Sequence, residues 1–344
     1  MKSPEKIPFF FIIGRPRSGT YLLRSLFDAH PNVVIPTECP LIVNLYPKWG
    51  GTKQWNKKKL LRFYDDILFH KEFHKWNLDQ EALKKNLLTF TGKHSFQTLI
   101  KVIYLHSESG FEKKEISLIG DKNPVYSTNT EKVIKVFPEA KYIHLTRDYR
   151  DNLVSIKKVD FEAPYTPLIA YRWKHSARLL HKLKKLHSAV FYTFKYDDLV
   201  SQPQQEMKKL CKFLEIPYHE EVFDFYKQRD ASFKNHPDKE LKTYHQSLSN
   251  PINNKKIGVW EKSLSAKEVK MLETVIGEYA ELSGYERIYR NKKADMRLKA
   301  LPGILYGKAS YLFADFLDLL PFRIRVKVKQ AGSLMAFVYH KLSG

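Results

Sequence analysis

The sequence predicts an α/β fold, in which a mostly parallel central sheet lies between layers of helices. An apolar run, Phe9–Ile13, is too short for a helix and is rich in residues that favour strands. It stops at Gly14, and after a loop with glycine, proline and arginine a helix is expected to begin at Thr20. Further short apolar runs alternate with helical patterns up to about residue 289. Such alternation is typical of parallel strands joined by crossover helices.

The loop after this first strand is predicted to bind an anion. Residues 14–19 (Gly-Arg-Pro-Arg-Ser-Gly) lead into a helix N-terminus, where unpaired backbone N–H groups and the helix dipole point at the same spot. A nucleotide-hydrolysing loop of the form Gly-x4-Gly-Lys-Ser/Thr needs a lysine on the phosphates and a hydroxyl on magnesium. Here Thr20 stands in the lysine position and Tyr21 in the hydroxyl position, and the cation is Arg17, inside the loop. ATP hydrolysis or a kinase activity is therefore disfavoured.

The motif Pro16-Arg17-Ser18-Gly19-Thr20 after a hydrophobic strand resembles the 5′-phosphosulfate loop of the sulfotransferases that use 3′-phosphoadenosine 5′-phosphosulfate (PAPS). Its arginine in place of lysine resembles the branch of tyrosylprotein sulfotransferases and many bacterial enzymes. The resemblance implies a P-loop-type three-layer fold, with PAPS as cosubstrate and no metal. It also implies that Arg17 takes part in catalysis and that the loop binds the cosubstrate through Arg15, Arg17, Ser18, Gly19, Thr20 and Tyr21.

Composition and charge limit the remaining hypotheses. With 344 residues, we expect a sulfotransferase domain over residues 1–289 and a basic amphipathic appendage over 290–344. The formal charge of +22 favours an anionic partner, such as a membrane surface or a phosphate-rich cofactor, although most lysines are expected to form a solvated surface. Cys39 and Cys211 lack disulfide or zinc spacing and are expected to be free thiols, which predicts a cytoplasmic location. No apolar stretch is long enough to predict a transmembrane helix.

Glu38 is the candidate general base. It follows a short extended piece, residues 33–36, and would lie near the loop if that strand ran beside the first. It comes 21 residues after Arg17, and in tyrosylprotein sulfotransferases the proposed catalytic glutamate follows the loop arginine at the same separation. The alternative, a helix-capping or surface glutamate, is equally compatible with the spacing.

Residues 41–115 are predicted to be a helical insertion that lies over the active site and caps the acceptor. After it, a strand at 116–119 leads to Lys122, which the resemblance places in the sulfuryl site. The next residues are asparagine and proline, so the histidine base of the cytosolic branch is missing, which favours Glu38. A further lysine of the tyrosylprotein branch aligns near Thr128, and this departure argues against a protein-tyrosine acceptor.

Arg147 and Ser155 are predicted to bind the 3′-phosphate. Arg147 stands at the carboxyl end of a predicted strand, Lys141–Thr146, where open α/β sheets bind ligands. Ser155 follows eight residues later, after two turns of a predicted helix. This Arg-x7-Ser separation resembles the 3′-phosphate motif of the family. Arginine offers a phosphate two parallel hydrogen bonds, and serine adds a third.

Two later segments complete the predicted cosubstrate site. After a strand at 190–194, Tyr196 begins a segment that resembles the family's Tyr-Glu-Asp-Leu, in which the tyrosine lies near the adenine. Lys255 and Lys256 precede Gly258 in a segment that resembles the one closing on the 3′-phosphate.

Helix signals mark the rest of the chain. Ser201 and Pro203 predict an N-cap and first residue, and Ser265 predicts a capping box for a helix ending at Gly284. The tail, 290–344, mixes basic and apolar residues, and its charged positions rule against a spanning helix. It is expected either to pack on the domain or on a second subunit of a homodimer, or to lie on a membrane surface.

The expected function is PAPS-dependent transfer of a sulfuryl group to an acceptor hydroxyl, as the resemblance implies. Glu38 would take the acceptor proton, while Arg17 and Lys122 would stabilise developing negative charge. An apolar alcohol, a lipid and an acidic saccharide all remain open as acceptors, and nucleic acid is not expected as a partner. The alternatives are a P-loop nucleotide kinase and a non-catalytic protein that binds polyanions or membrane surfaces.

Overall fold

The computed structural model describes residues 3–76, 78–228, 246–290, 294–329 and 331 of the chain. In chain order its strands are β1 (Phe9–Ile13), β2 (Val33–Val34), β3 (Gln54–Trp55), β4 (Gly92–Lys93), β5 (Leu118–Lys122), β6 (Lys141–Thr146) and β7 (Phe191–Lys195). β3 and β4 pair as a separate two-stranded antiparallel sheet, and the others form a parallel sheet in the order β2-β5-β1-β6-β7. The predicted α/β class with a parallel central sheet is confirmed.

Helices cover both faces of this sheet. In chain order they are α1 (Thr20–Asp28), α2 (Leu41–Trp49), α3 (Lys57–Leu68), α4 (Gln80–Leu87), α5 (Phe96–Leu105), α6 (Tyr126–Val136), α7 (Tyr149–Ile156), α8 (Thr166–Leu186), α9 (Tyr196–Ser201), α10 (Pro203–Leu214), α11 (Trp260–Ser263), α12 (Ala266–Ile276), α13 (Tyr279–Leu282) and α14 (Ala294–Leu317), followed by helical residues 322–329. α1 and α10 pack on the face to which Phe10 and Ile12 point. α5 and α6 cover the face to which Phe9 and Phe11 point.

β1 lies in the middle of the sheet, between β5 and β6, and all five of its side chains are buried. Because helices cover both faces, the strand is a continuous apolar run rather than an alternation of apolar and polar residues. Phe10 lies opposite Gly120 of β5, whose missing side chain leaves room for the Phe10 ring. Phe11 stacks on Tyr142 of β6, with ring centres 5.4 Å apart. These contacts place the end of β1, and the loop that follows it, at the centre of the sheet.

β2 does not run beside β1, because β5 lies between them and pairs with both. The condition under which Glu38 was expected near the loop is therefore not met. β5 also extends further than the predicted strand at 116–119, so that Lys122 is its last residue. Glu38 reaches the same edge of the sheet through contact with Lys122.

Local turn chemistry explains which predicted helix ends are right. The capping box of Ser265 is confirmed and precedes α12. The predicted N-cap Ser201 is wrong, since it ends α9 and Gln202 caps the next helix, with Pro203 at its first position. The predicted helix to Gly284 is also wrong: α12 ends at Ile276, because Gly277 has a φ of 64°.

Residues 41–115 contain α2 to α5 and the antiparallel pair of β3 and β4. Their aromatic side chains pack on one another: Trp49 stacks on Trp55 at 5.6 Å between ring centres, and Phe63 meets the edges of both. This cluster is continuous with the core on one face of β1. The aromatic residues therefore stabilise the insertion itself, and its role as an acceptor cap stays a prediction.

The described part of the tail is a helical appendage that packs on the domain. α14 lies along α8, where a side chain at Gly303 would meet the backbone nitrogen of Leu168. Tyr311 stacks on His175 of α8 with ring centres 4.3 Å apart. Beyond α14, the buried Arg325 donates to the Asn44 carbonyl oxygen. Among the helices described, none combines the length and the apolar character needed to cross a membrane.

Candidate active site

A cavity of about 370 Å³ opens at the carboxyl ends of β1, β5, β6 and β7. This is the edge at which parallel sheets bind ligands. Predicted site residues make up much of its wall: Arg17, Gly19, Thr20, Tyr21, Glu38, Lys122, Arg147, Ser155, Tyr196 and Lys256. Most of the rest of the wall is apolar and comes from Pro16, Leu22, Pro124, Phe161 and the segment 248–253. Of the described residues in the insertion 41–115, none is part of this wall.

The loop between β1 and α1 has the backbone shape of an anion-binding turn. Arg17 and Gly19 have φ values of 67° and 88°, both left-handed. For Arg17 this conformation costs roughly 1–2 kcal/mol, because its Cβ crowds the carbonyl oxygen. The first hydrogen bond within α1 runs from Leu23 N to Gly19 O, at 3.1 Å. The N–H groups of residues 20–22 therefore have no acceptor within the helix, and these residues line the cavity.

Tyr196 fixes the other side of this turn. Its ring lies so close to Gly19 that a side chain at that position would overlap it. Gly19 is therefore required both for its left-handed φ and for the space that the tyrosine occupies. The guanidinium of Arg147 lies over the Tyr196 ring, 4.7 Å from its centre. Tyr196, which was predicted to lie near the adenine, thus packs against both the loop and Arg147.

Arg147 and Ser155 both contact residue Arg17 of the loop. The two terminal nitrogens of Arg147 donate to the carbonyl oxygens of Arg17 and Lys256, each at 2.9 Å. Arg17 Nε donates to Ser155 Oγ at 3.1 Å. Arg17, which was expected to face the transferred sulfuryl group, thus lies among the residues predicted to bind the 3′-phosphate. Lys256 lines the same part of the cavity.

Lys122 and Glu38 form a second group in the cavity. The Lys122 ammonium donates to Glu38 Oε1 and lies over the Tyr21 ring, 3.8 Å from its centre. Lys122 is 1% exposed, whereas the side chain of Glu38 is 34% exposed. Burial lowers the pKa of Lys122 to about 8, and the Glu38 carboxylate opposes that shift. The Lys122 side chain is therefore mostly charged at neutral pH, and it loses its proton only slightly above neutral pH.

Three predicted cosubstrate residues lie outside the cavity wall. The Arg15 guanidinium donates to both carboxylate oxygens of the buried Glu162, at 3.1 and 3.2 Å, so it already has an acidic partner within the chain. The Ser18 side chain is buried, and its N–H donates to Arg15 O. Lys255 is exposed, and its N–H donates to Asn253 Oδ1.

Two residues of α7 that position the site were not predicted. Asp151 accepts hydrogen bonds from the N–H groups of Gly258, at 2.8 Å, and Trp260, at 3.0 Å, which holds the segment that carries Lys256. Asn152 Nδ2 donates to the Pro16 carbonyl oxygen at 2.8 Å. These residues precede Ser155 by four and three positions, so helical periodicity places all three on one face. That spacing was a usable signal, whereas nothing in the sequence marks Phe161.

Comparison with known proteins assigns this arrangement to a family. A model described as the sulfotransferase family matches residues 8–220, which is more than half of the chain. The chain belongs to the sulfotransferase family. The matched region contains every predicted residue of the cavity wall except Lys256.

This sulfotransferase family member is similar to protein-tyrosine sulfotransferase of Drosophila melanogaster, with 26% identity covering 63% of this chain and 40% of that protein. Protein-tyrosine sulfotransferase 1 of Danio rerio is also 26% identical, over 63% of this chain and 56% of that protein. The chain spans about half the length of these relatives, or less. Among solved structures, the sulfotransferase domain of the Synechococcus PCC 7002 olefin synthase matches with a TM-score of 0.55 and 21% identity, covering 81% of this chain and 95% of that domain. That similarity supports the fold.

The buried ammonium gives this family member a specific dependence of stability on pH. The folded-state pKa of Lys122 is lowered to about 8 from 10.5, so between these values the unfolded chain binds the extra proton and stability rises with pH. The effect of Lys122→Met on the free energy of unfolding is therefore expected to be most favourable at pH 7. This effect should become less favourable as the pH rises toward 10.5, because the parent chain then no longer buries a charge. Urea unfolding of both proteins across this range is the measurement. A difference that does not vary with pH would contradict a buried ammonium at this site.

Proposed function

We propose that this chain transfers a sulfuryl group from PAPS to an acceptor hydroxyl. The observation that carries the proposal is that one cavity contains two complementary groups of residues. In the first group Arg17 donates to Ser155, and Arg147 donates to the carbonyl oxygens of Arg17 and Lys256; in the second group Lys122 contacts Glu38. Cationic side chains together with a serine hydroxyl are suited to binding a phosphate. A carboxylate beside a cation can accept a proton while the cation stabilises the negative charge that develops on the reacting oxygens.

The first group fits a nucleotide with two separate phosphates. In the described part of the chain, neither Arg147 nor Lys256 forms an ion pair with a carboxylate. Arg147 Nε is buried without a hydrogen-bond partner. Partial burial lowers the pKa of Lys256, and the nearby charges of Arg17 and Arg147 lower it further. A polyanion would relieve this crowding, so we assign the 3′-phosphate to Arg147, Ser155 and Lys256.

The 5′-phosphate is assigned to the start of α1. The N–H group of Thr20 lacks an acceptor within the helix, and the left-handed turn at Arg17 and Gly19 brings it to the cavity. Bound PAPS would supply the sulfuryl group, whose bond to the 5′-phosphate breaks as the bond to the acceptor oxygen forms. The helix N-terminus and Arg17 would stabilise the charge left on the departing phosphate.

Glu38 is assigned to remove the proton of the acceptor hydroxyl. Lys122 contacts Oε1 of Glu38, and Oε2 has no hydrogen bond among the described residues. The partial exposure of this side chain gives an acceptor access to it. Lys122 would place a positive charge beside the reacting oxygens. The proton would leave on Glu38, so no metal-bound hydroxide is required in the proposed step.

The apolar part of the wall favours an apolar alcohol or a lipid over an acidic saccharide. Pro124, Phe161 and Ile252 line the cavity, and Phe161 is partly exposed at its edge. A protein tyrosine is the second candidate acceptor, because the matched relatives include proteins named protein-tyrosine sulfotransferases. At the position aligned with that branch's further lysine, Thr128 donates to Val125 O and is not part of the cavity wall.

Nucleotide binding tests the first group of residues. Adenosine 3′,5′-bisphosphate is expected to bind about a hundredfold more tightly than adenosine 5′-monophosphate, because the 3′-phosphate gains charged hydrogen bonds from Arg147 and Ser155. Lys256→Ala is expected to weaken the bisphosphate about tenfold and to leave the monophosphate unchanged. Lys255→Ala, which removes the neighbouring exposed lysine, is the matched control and should change neither. Calorimetry that gives equal affinities for the two nucleotides would sink the assignment.

Turnover tests the second group. Glu38→Gln should keep its affinity for adenosine 3′,5′-bisphosphate and lose transfer by about 10²- to 10⁴-fold, because the amide cannot accept the proton. The assay follows labelled sulfate from PAPS to a long-chain alcohol, a saccharide and a tyrosine peptide, which also ranks the acceptor classes. Glu139→Gln, on an exposed turn, is the control. An unchanged rate in Glu38→Gln would remove Glu38 from the mechanism, and magnesium-dependent ATP turnover without use of PAPS would support the kinase alternative.

A further inference from the structure

One side of α14 forms an apolar stripe that faces solvent. The stripe consists of Leu298, Leu301, Leu305, Leu312, Phe316 and Leu319, each between 44% and 80% exposed. Their spacings of three, four and seven residues place them on one line along the helix and the turn after it. We call these six residues the outer stripe. Exposed apolar side chains in a continuous row of this length usually mark an interaction surface.

Packing within the chain does not explain the outer stripe. α14 binds the domain through the opposite side, where Ala300, Gly303 and Gly307 are buried and α8 lies close enough to exclude side chains at both glycines. A helix that is apolar on both sides is normally buried on both. Here one side is covered by α8, and in the described chain the other side meets solvent. The stripe therefore requires a partner from outside the described chain.

The charges around the outer stripe indicate which kind of surface binds it. Arg297 and Lys299 lie at its N-terminal end, and Arg323 and Lys327 follow its C-terminal end, all exposed. Residues 290–331 contain ten lysines and arginines against three aspartates. Because both ends are basic, pairing with a second copy in either direction would bring like charges together. An anionic lipid surface complements the cations and also buries the apolar row, with the helix lying in the plane of the interface.

Two aromatic side chains lie between the domain-facing side of α14 and the edge of the cavity. The ring of Tyr165 packs against Gly303 of α14 and is partly exposed. Four residues earlier, Phe161 is also partly exposed, and it forms part of the cavity wall. Exposed aromatic side chains thus extend from α14 to the cavity. Tyrosine and phenylalanine in such positions suit the boundary between lipid and water.

We propose that the outer stripe binds an anionic membrane surface and that the cavity accepts a hydroxyl-bearing lipid from it. The statement about the acceptor rests on the proposed sulfuryl transfer, whereas the statement about the membrane does not. Phe161 and Tyr165 would then contact the lipid at the point where it enters the cavity. The opposite side of α14 keeps its contacts with α8, so this helix would lie in the plane of the membrane surface.

Vesicle binding by the full chain tests the membrane surface. The protein is expected to float with vesicles of phosphatidylcholine mixed with phosphatidylserine, and to bind pure phosphatidylcholine much more weakly. Replacing Leu305, Leu312 and Phe316 together by glutamine keeps the charge and is expected to reduce binding at least a hundredfold, because three large apolar side chains no longer enter the interface. The matched control replaces three other exposed apolar residues by glutamine: Leu186, Leu282 and Ile288. It should bind as the parent chain does.

Each other outcome overturns the proposal. If the parent chain stays in solution with anionic vesicles, or if the stripe variant binds as well as the parent, the stripe is not the membrane surface. If light scattering shows a dimer that the stripe variant converts to a monomer, without vesicle binding by the parent, the partner is a second copy. Circular dichroism and thermal unfolding establish that both triple variants are folded.

A separate transfer assay tests whether the acceptor is a lipid. Sulfate transfer to a long-chain alcohol embedded in anionic vesicles should fall in the stripe variant, while transfer to a short, water-soluble alcohol should not change. Equal losses on both alcohols, or none on either, would contradict a lipid acceptor. A chain that binds vesicles through the stripe but does not bind adenosine 3′,5′-bisphosphate would refute the proposed sulfuryl transfer and leave the membrane surface intact.

Discussion

Arg147 ties together the two parts of the chain that enclose the cavity. Its guanidinium donates to the carbonyl oxygens of Arg17, in the loop after β1, and of Lys256, in the segment that closes the cavity. Asn152 holds the same loop through the Pro16 carbonyl oxygen. Both anchors follow β6, which pairs with β1, so the pairing of these two strands sets the position of the cations against the loop. The geometry of the candidate site therefore depends on this one connection.

The site accumulates unfavourable free energy that a ligand can relieve. Arg17 is held in a left-handed conformation, Lys122 is buried with a lowered pKa, and Lys256 lies near two other cations. Each of these features costs stability in the absence of an anion. The buried Arg15 differs, because it forms an ion pair within the chain with Glu162, which also contacts Arg172. Arg17, Lys122 and Lys256 thus lie together where the proposed cosubstrate would bind, which is the expected trade between stability and function.

Features determined by neighbouring residues could be predicted from the sequence. Phe9–Ile13, the helix start at Thr20 and the strand Lys141–Thr146 follow from local apolar pattern and turn chemistry, and the structure has them at those positions. Contacts between distant segments could not be predicted: the insertion of β5 between β1 and β2 depends on strand pairing. The partner of Arg15 is 147 residues away, and no local pattern announces such a contact. The family resemblance predicted most of the polar cavity residues, and the fold determines which of them lie in contact.

The structure of the protein crystallised with adenosine 3′,5′-bisphosphate tests the account most directly. We expect the 3′-phosphate within hydrogen-bond distance of Arg147 and Ser155, and the 5′-phosphate at the N-terminus of α1, on the side of the cavity that leads to Lys122 and Glu38. A nucleotide bound outside this cavity, or bound with its two phosphates exchanged, would contradict it.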